Sequence, residues 1–196
     1  MDEFLEKIEQ HKDEFYRYIL RNVWDTGVAD DVFSSGVLAA YKSREKFQPG
    51  SNFRAWMFKI LTNKCYVANR EISRRGENID DVGHELVGLS QQMHRTKAHD
   101  DPEEFLNECG DEVLMAMRKL STNERACLLL KTMHKFSYKE LAEILEIPFG
   151  TVMTHLSRGR AKLRKELMEY ARQRGIVKRF PSKEETDSSG LKRSTG

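Results

Sequence analysis

Only four prolines and three cysteines occur in the 196 residues, and no run of eighteen apolar residues is present. A membrane-spanning helix of ordinary length is therefore not expected. Cys65, Cys109 and Cys127 are an odd set with no C-x-x-C pair, which argues against a disulfide framework or a zinc knuckle. They are expected to be reduced thiols, with Cys127, inside the run ACLLL, in the core. The opening stretch MDEFLEKIEQHKDEF is too acidic and polar for a signal peptide, so the expectation is a cytoplasmic protein without membrane insertion. Neither an internal repeat nor a strand signal can be found. The nucleotide-binding, hydrolase and metalloprotease patterns G-x-x-x-x-G-K-[ST], G-x-S-x-G and H-E-x-x-H are missing as well. His94 and His99 lack a ligand-like helical spacing. No catalytic activity, metal or cofactor is expected.

Charge, by contrast, is abundant and unevenly placed. The net value of +2 conceals two basic blocks around an acidic one. Residues 54–75 hold six basic residues and one acidic, residues 76–112 eleven acidic and two basic, and residues 149–179 nine basic and two acidic. Two positive blocks suggest two nucleic-acid surfaces, because neutralised phosphates supply much of the affinity for DNA.

The apolar periodicity is helical throughout. Residues 3–22 carry Phe4, Leu5, Ile8, Phe15, Tyr18 and Ile19 at helical spacing. Asp25 and Gly27 mark a turn, and Asp30 or Asp31 is expected to cap a second helix running to about Arg44. Residues 47–52, FQPGSN, form a loop, followed by a helix over about 53–73 with Trp56, Ile60 and Val67 inward. Between Gly76 and Gly110 the periodicity fails, which reads as an acidic interdomain linker with a short helix after Pro102. Helical pattern resumes at Asp111, and Ser121 with Glu124 makes a capping box for a helix from Thr122 to His134. The expected architecture is all-α: two small helical domains, 1–75 and 111–172, joined by a flexible linker, 76–110, with a disordered tail over 173–196.

Residues 137–164, SYKELAEILEIPFGTVMTHLSRGRAKLR, carry the sharpest signal. Ser137 and Glu140 form a second capping box, so a helix starts at Tyr138, with Leu141, Ala142 and Leu145 as its apolar stripe. Pro148 separates this helix from the next one. Val152, Leu156, Leu163 and Leu167 repeat along that second helix, with Arg158, Arg160, Lys162, Arg164 and Lys165 largely between them. Such a pair suits a helix-turn-helix whose second helix enters the major groove. A solvated αα-hairpin is the plainer alternative.

The strings ADDVFSSGVLAAY, FQPGSNFRAWMFKILTN, LSTNERACLLL and IPFGTVMTHLSRGRAKLR, in this order, resemble a bacterial RNA polymerase sigma factor of the two-domain, extracytoplasmic-function type of the sigma-seventy family. The resemblance spans about residues 4–75 and 111–168. It implies core RNA polymerase and promoter DNA as partners, with an anti-sigma factor as regulator. The first domain would bind the polymerase clamp and melt the minus-ten element, while the second would read the minus-thirty-five element as duplex. The acidic linker would cross the polymerase channel or serve only as a tether.

By the same resemblance the clamp-binding surface falls on Asp30, Asp31, Ser34, Ser35 and Leu38. The chain departs from the family there. Ser34-Ser35-Gly36 replaces a usual Gln-Glu-Thr, which shortens the hydrogen-bonding reach, and Gly36 weakens a helix by about 1 kcal/mol relative to alanine. The melted strand would meet Phe47 and Trp56 by stacking, Ser51, Asn52 and Asn63 by hydrogen bonds, and Lys59, Lys64 and Arg70 through phosphates. A plain core role is the other reading of Trp56, as solvent exposure is of Asn63. In the upstream element Met153, Thr154 and Ser157 would face base edges, and His155, Arg158, Arg160 and Lys162 phosphates. Many members carry arginine at His155, and a histidine holds a phosphate less firmly near neutral pH. The rival reading is a stand-alone helix-turn-helix regulator using residues 111–168 alone. A sigma-like decoy that binds polymerase without initiating is a third.

Overall fold

A computed structural model describes residues 3–48, 50–75 and 111–173, all helices and short connections, with no strand among them. The expected linker over 76–110, including its short helix, and the tail from Arg174 lie outside the described residues. In the N-terminal half, α1 spans Glu3–Gln10, α2 Lys12–Asn22, α3 Ala29–Lys42 and α4 Phe53–Arg75. In the C-terminal half, α5 spans Asp111–Arg118, α6 Thr122–Thr132, α7 Tyr138–Leu145 and α8 Phe149–Gln173.

Both anticipated capping boxes form. Ser121 Oγ accepts from the Glu124 amide while the Glu124 carboxylate accepts from the Ser121 amide, and Ser137 and Glu140 repeat the exchange. Each satisfies two otherwise orphaned donors and stabilises its helix by about 1 kcal/mol. α7 stops at Glu146, whose backbone is left-handed (φ 54°) and whose amide donates to Ala142 O. Thr151 N–H then donates to Pro148 O as α8 starts. The helix-turn-helix is therefore built from Ser137, Glu146 and Pro148.

Four expectations in the N-terminal half need correction. The periodic stretch 3–22 is two helices broken at His11. Neither Asp30 nor Asp31 caps α3, which has Val28 at its start and no side-chain cap. Asp25 caps the preceding short 3-10 turn instead, its carboxylate accepting from Gly27 N–H at 2.8 Å. The helix ends at Lys42, where the Ser43 amide is already donating to Ala39 and Ala40. Finally, Val67 points out (44 % exposed), while Met57, Phe58, Leu61, Thr62, Cys65, Asn69 and Ile72 are buried. α4 packs on α2, α3, α6 and α7, so its buried surface is broader than one stripe.

The core is continuous across both halves. Phe15, Tyr18 and Ile19 of α2 and Phe58 and Leu61 of α4 join Cys127, Leu129 and Leu130 of α6, Leu141 of α7 and Leu156 of α8 in one cluster. Each of the large apolar chains contributes roughly 1.5–3 kcal/mol by leaving water. A polar chain threads α2 to α4: Tyr18 and Thr62 hydroxyls meet at 2.7 Å, and Asn69 Nδ2 donates to Asn22 O at 3.0 Å. Cys65 and Cys127 are free, as read from the sequence; Cys127 lies in the core as expected, and Cys65 is buried as well. Gly36 has a packing reason: a Cβ there would lie 2.5 Å from Leu61 Cδ2, so glycine lets α3 approach α4.

Polar and aromatic contacts bind the halves at their shared face, among them those of Glu14, Arg125 and Phe58. Glu14 of α2 accepts from Arg54 of α4 and from His134 Nδ1 (3.0 Å) of the C-terminal half. Burial pushes the Glu14 carboxyl up, but hydrogen bonds from His134 and Arg54 and their charge outweigh it, bringing it down to about 2. Arg125 of α6 is buried and, among the described residues, has carbonyl partners and no carboxylate. Its Nε donates to Met117 O at 3.1 Å and its Nη1 to Asn22 O and Val23 O at 3.4 Å, a cation at the C-terminal ends of α5 and α2. Loss of solvent lowers its pKa to about 10. Phe58 packs edge-on against Phe136 with ring centres 5.4 Å apart.

Candidate nucleic-acid interface

The outer face of α8 presents Met153, Thr154, Ser157, Arg158 and Arg160, all exposed, with His155 half-buried. Val152 and Leu156 face the core, so the division read from the sequence is that of the structure. Thr154 Oγ donates to Gly150 O at 2.9 Å. Its proton is thus engaged, leaving an acceptor oxygen and a methyl for a neighbouring group. Lys162 differs from the arginines: its Nζ donates to Glu124 Oε2 at 2.8 Å, and Glu124 also belongs to the α6 capping box. That lysine braces α8 on α6, beside Gly159, where a Cβ would come within 3.0 Å of Leu128. Arg164, not assigned to DNA from the sequence, shares a surface groove with Tyr138, Met153, Ser157 and Arg160. Sequence reading also missed Phe149, 49 % exposed beside Tyr138. The position of Phe149, just after Pro148 at the helix start, was a usable signal.

A second surface runs along α4. Asn52, Trp56, Lys59, Asn63 and Arg70 recur at spacings of three, four and seven, which places them on one side of the helix. Asn52 and Asn63 are exposed, as is Arg70, while Trp56 and Lys59 are half-buried. Asn52 Oδ1 caps α4 by accepting from Ala55 N–H at 3.1 Å. Ser51 Oγ donates to Gln48 O at 2.7 Å, closing the loop before the helix. Phe47 and Trp56 lie with ring centres 5.4 Å apart, beside Phe53 and Phe4. Trp56 is therefore neither a plain core residue nor a free one: it is half-buried in an aromatic cluster that reaches the surface. Lys64 stands apart from this stripe. It lines the α3–α4 groove with Asp31, Ser35, Glu71 and Arg75.

The α3 candidates also divide between two faces. Asp31 and Ser35 line that groove, and the Ser35 hydroxyl donates to Val32 O at 3.1 Å. Ser34 and Leu38 line an apolar groove with Leu5, Phe33, Val37 and Tyr41, where Leu38 is 53 % exposed. Asp30 accepts from Tyr16 Oη at 2.8 Å, which with burial raises the tyrosine pKa.

The comparisons fit this geometry. The family model for Sigma-70 region 2 matches residues 8–82, and that for Sigma-70, region 4 matches residues 110–163. The chain is 35% identical over 135 residues to the ECF RNA polymerase sigma factor EcfG of Rhodopseudomonas palustris, covering 69% of this chain and 68% of that protein. It is 26% identical over 171 residues to the ECF RNA polymerase sigma factor SigW of Bacillus subtilis, covering 86% of this chain and 90% of the relative. Among solved structures, the sigma factor RpoE in complex with the anti-sigma factor NepR from Bartonella quintana shares the fold at a TM-score of 0.64 and 22% identity, over 86% of this chain and 98% of that one. On these similarities the chain belongs to the ECF RNA polymerase sigma factors, which direct core polymerase to promoters.

Proposed function

We propose that this sigma factor works through three surfaces: α3 on the polymerase clamp, the α4 stripe on the melted minus-ten strand, and α8 on the minus-thirty-five duplex. The observation that carries the reading is the α4 stripe. An aromatic cluster open at the surface stands beside Asn52, Lys59, Asn63 and Arg70 on one helix side, the combination a single strand needs for stacking and phosphate tracking. Residues 1–75 and 111–172 act as the two functional units, with 76–110 as tether. The protein works in the cytoplasm, acts without a catalytic step of its own, and is held in check by an anti-sigma factor, as the RpoE–NepR complex illustrates for that relative. Run-off transcription with purified core polymerase over a genomic fragment library tests this. Discrete new starts behind a shared two-part motif are the expected result; DNA binding without transcripts would return the stand-alone regulator.

Two variants test α8. Arg158→Ala with Arg160→Ala is expected to weaken promoter binding across sequences and to lower the salt slope by about one per lost phosphate contact. An unchanged slope in a salt titration removes both from the phosphate surface. Thr154→Ala is expected to shift base preference in the upstream element by about 1 kcal/mol at one position while overall affinity changes less. Identical preference profiles from randomised sites would end that assignment.

A further inference from the structure

The outer face of α8 is mostly polar or basic, and its first two turns are the exception. Phe149 and Met153 keep 49% and 53% of their surface open to water. They stand four residues apart, which places them on one side of the helix, and Ser157, Arg160 and Arg164 continue the same line. Tyr138 of α7 walls that line. Its ring centre is 6.1 Å from that of Phe149, and it shares one groove with Met153, Ser157, Arg160 and Arg164. A single exposed apolar residue needs no explanation, but two on adjacent turns at the end of a basic line do. Gly150 lies between them, and a Cβ there would meet nothing within 4 Å. Nothing among the described residues therefore calls for a glycine, which weakens a helix relative to alanine. A surface brought close from outside does call for one.

The order along the line suits duplex DNA. A recognition helix sets its first residues over base edges, and arginines further along hold phosphates. Arg160 and Arg164 form the basic end. The apolar end has no strong donor or acceptor to offer, and the major groove presents it with one apolar group, the C5 methyl of thymine. Laid on the N4 amine of cytosine or on O6 and N7 of guanine, a phenyl ring or thioether chain would strip water from a polar group and return little. We infer that Phe149 and Met153 form an apolar reading edge that selects thymine in the upstream element. The two side chains pack on C5 methyl groups while the arginines behind them set the register. Selectivity of this kind disappears with the methyl and not with the base pair. This inference rests on α8 being the minus-thirty-five surface.

The test uses holoenzyme assembled from core polymerase and the full chain, on promoters whose upstream element has been enriched from a randomised duplex library. Each thymine of the enriched element is then replaced in turn by deoxyuridine, which pairs alike and lacks only the methyl. At one or two positions the replacement is expected to weaken competitive binding about fourfold, the contribution of one buried methyl. At each such position Phe149→Ser or Met153→Ser is expected to abolish the difference. Both residues are exposed, so an unchanged melting temperature of the free chain serves as the check on folding. No deoxyuridine effect at any thymine, or an element enriched without thymine, would overturn the inference and leave α8 on the duplex. An effect that survives both serine variants and disappears in Thr154→Ser would also overturn it, because that change removes only a methyl and hands the reading to Thr154. Serine variants that lower affinity for core polymerase and leave the deoxyuridine effect intact would make the patch a polymerase contact instead. A library that enriches no upstream element, with discrete start sites still formed, would overturn the inference together with the reading of α8 beneath it.

Discussion

Leu38→Glu is expected to lower affinity for core polymerase about thirtyfold, as read by competition against a labelled sigma factor, while leaving the melting temperature nearly unchanged. Leu38 is 53 % exposed and lines the apolar groove with Leu5, Phe33, Ser34, Val37 and Tyr41. A leucine with that much surface in water has little to lose on substitution in the free protein, and glutamate is a good helix former. In a complex the same position would be desolvated, and an unpaired charge at the middle of an interface costs about 2 kcal/mol or more, which is about thirtyfold. The Ser34-Ser35-Gly36 departure strengthens the expectation. Ser34 is short and the Ser35 hydroxyl is occupied by Val32 O, so neither extends far from the surface. Gly36 is turned inward against Leu61 and presents nothing outward. On the proposed reading, what α3 would offer the clamp is mainly apolar. An Asp31→Ala chain losing more affinity than Leu38→Glu would show that the polar groove, with Lys64 and Arg75, is the true contact.

How legible each feature was in the sequence depends on the distance over which it is determined. The capping boxes at Ser121 and Ser137 are exchanges within four residues, so both were legible and both formed. The division of α8 into a Val152–Leu156 core side and an outer basic side was legible because the helix leans on its neighbours with one face. Helix α4 resists the same reading. It is contacted by four other helices, so apolar residues such as Trp56 and Ile60 end half-buried and Val67 ends outside. Aspartates near the start of α3 looked like caps, yet Asp25 was engaged one turn earlier on Gly27. Lys162 read as a free cation because its partner Glu124 is thirty-eight residues away. The pairing of Asn52 with Glu140 and of Lys59 with Glu146 spans eighty-seven residues or more, which no local pattern encodes.

Glu14→Gln is expected to lower stability by about 2 kcal/mol at pH 7, a fall of about 5 °C in the melting temperature, and to remove part of the acid sensitivity of the fold. One carboxylate serves both Arg54 and His134, and its side chain is 19% exposed. The neutral amide leaves Arg54 without its hydrogen-bonded counter-charge, with the face of Phe136 at 5.3 Å and the charge of Glu140 as remaining neighbours. A carboxyl drawn from the ordinary 4.5 to about 2 by its partners would contribute a few kcal/mol without screening. Arg54 keeps 35% of its side-chain surface, which reduces the expected effect to about 2 kcal/mol. Because the folded chain holds the proton less tightly than the unfolded one, the contribution is present above pH 4.5 and is lost as the pH falls toward about 2. Urea unfolding of both chains at pH 7, 4 and 2.5 measures it. The stability gap should be widest at pH 7 and should shrink steadily below pH 4.5. A gap that stays constant down to pH 2.5 would mean that Glu14 acts by packing alone, and that the charge at this seam contributes nothing to holding the halves together.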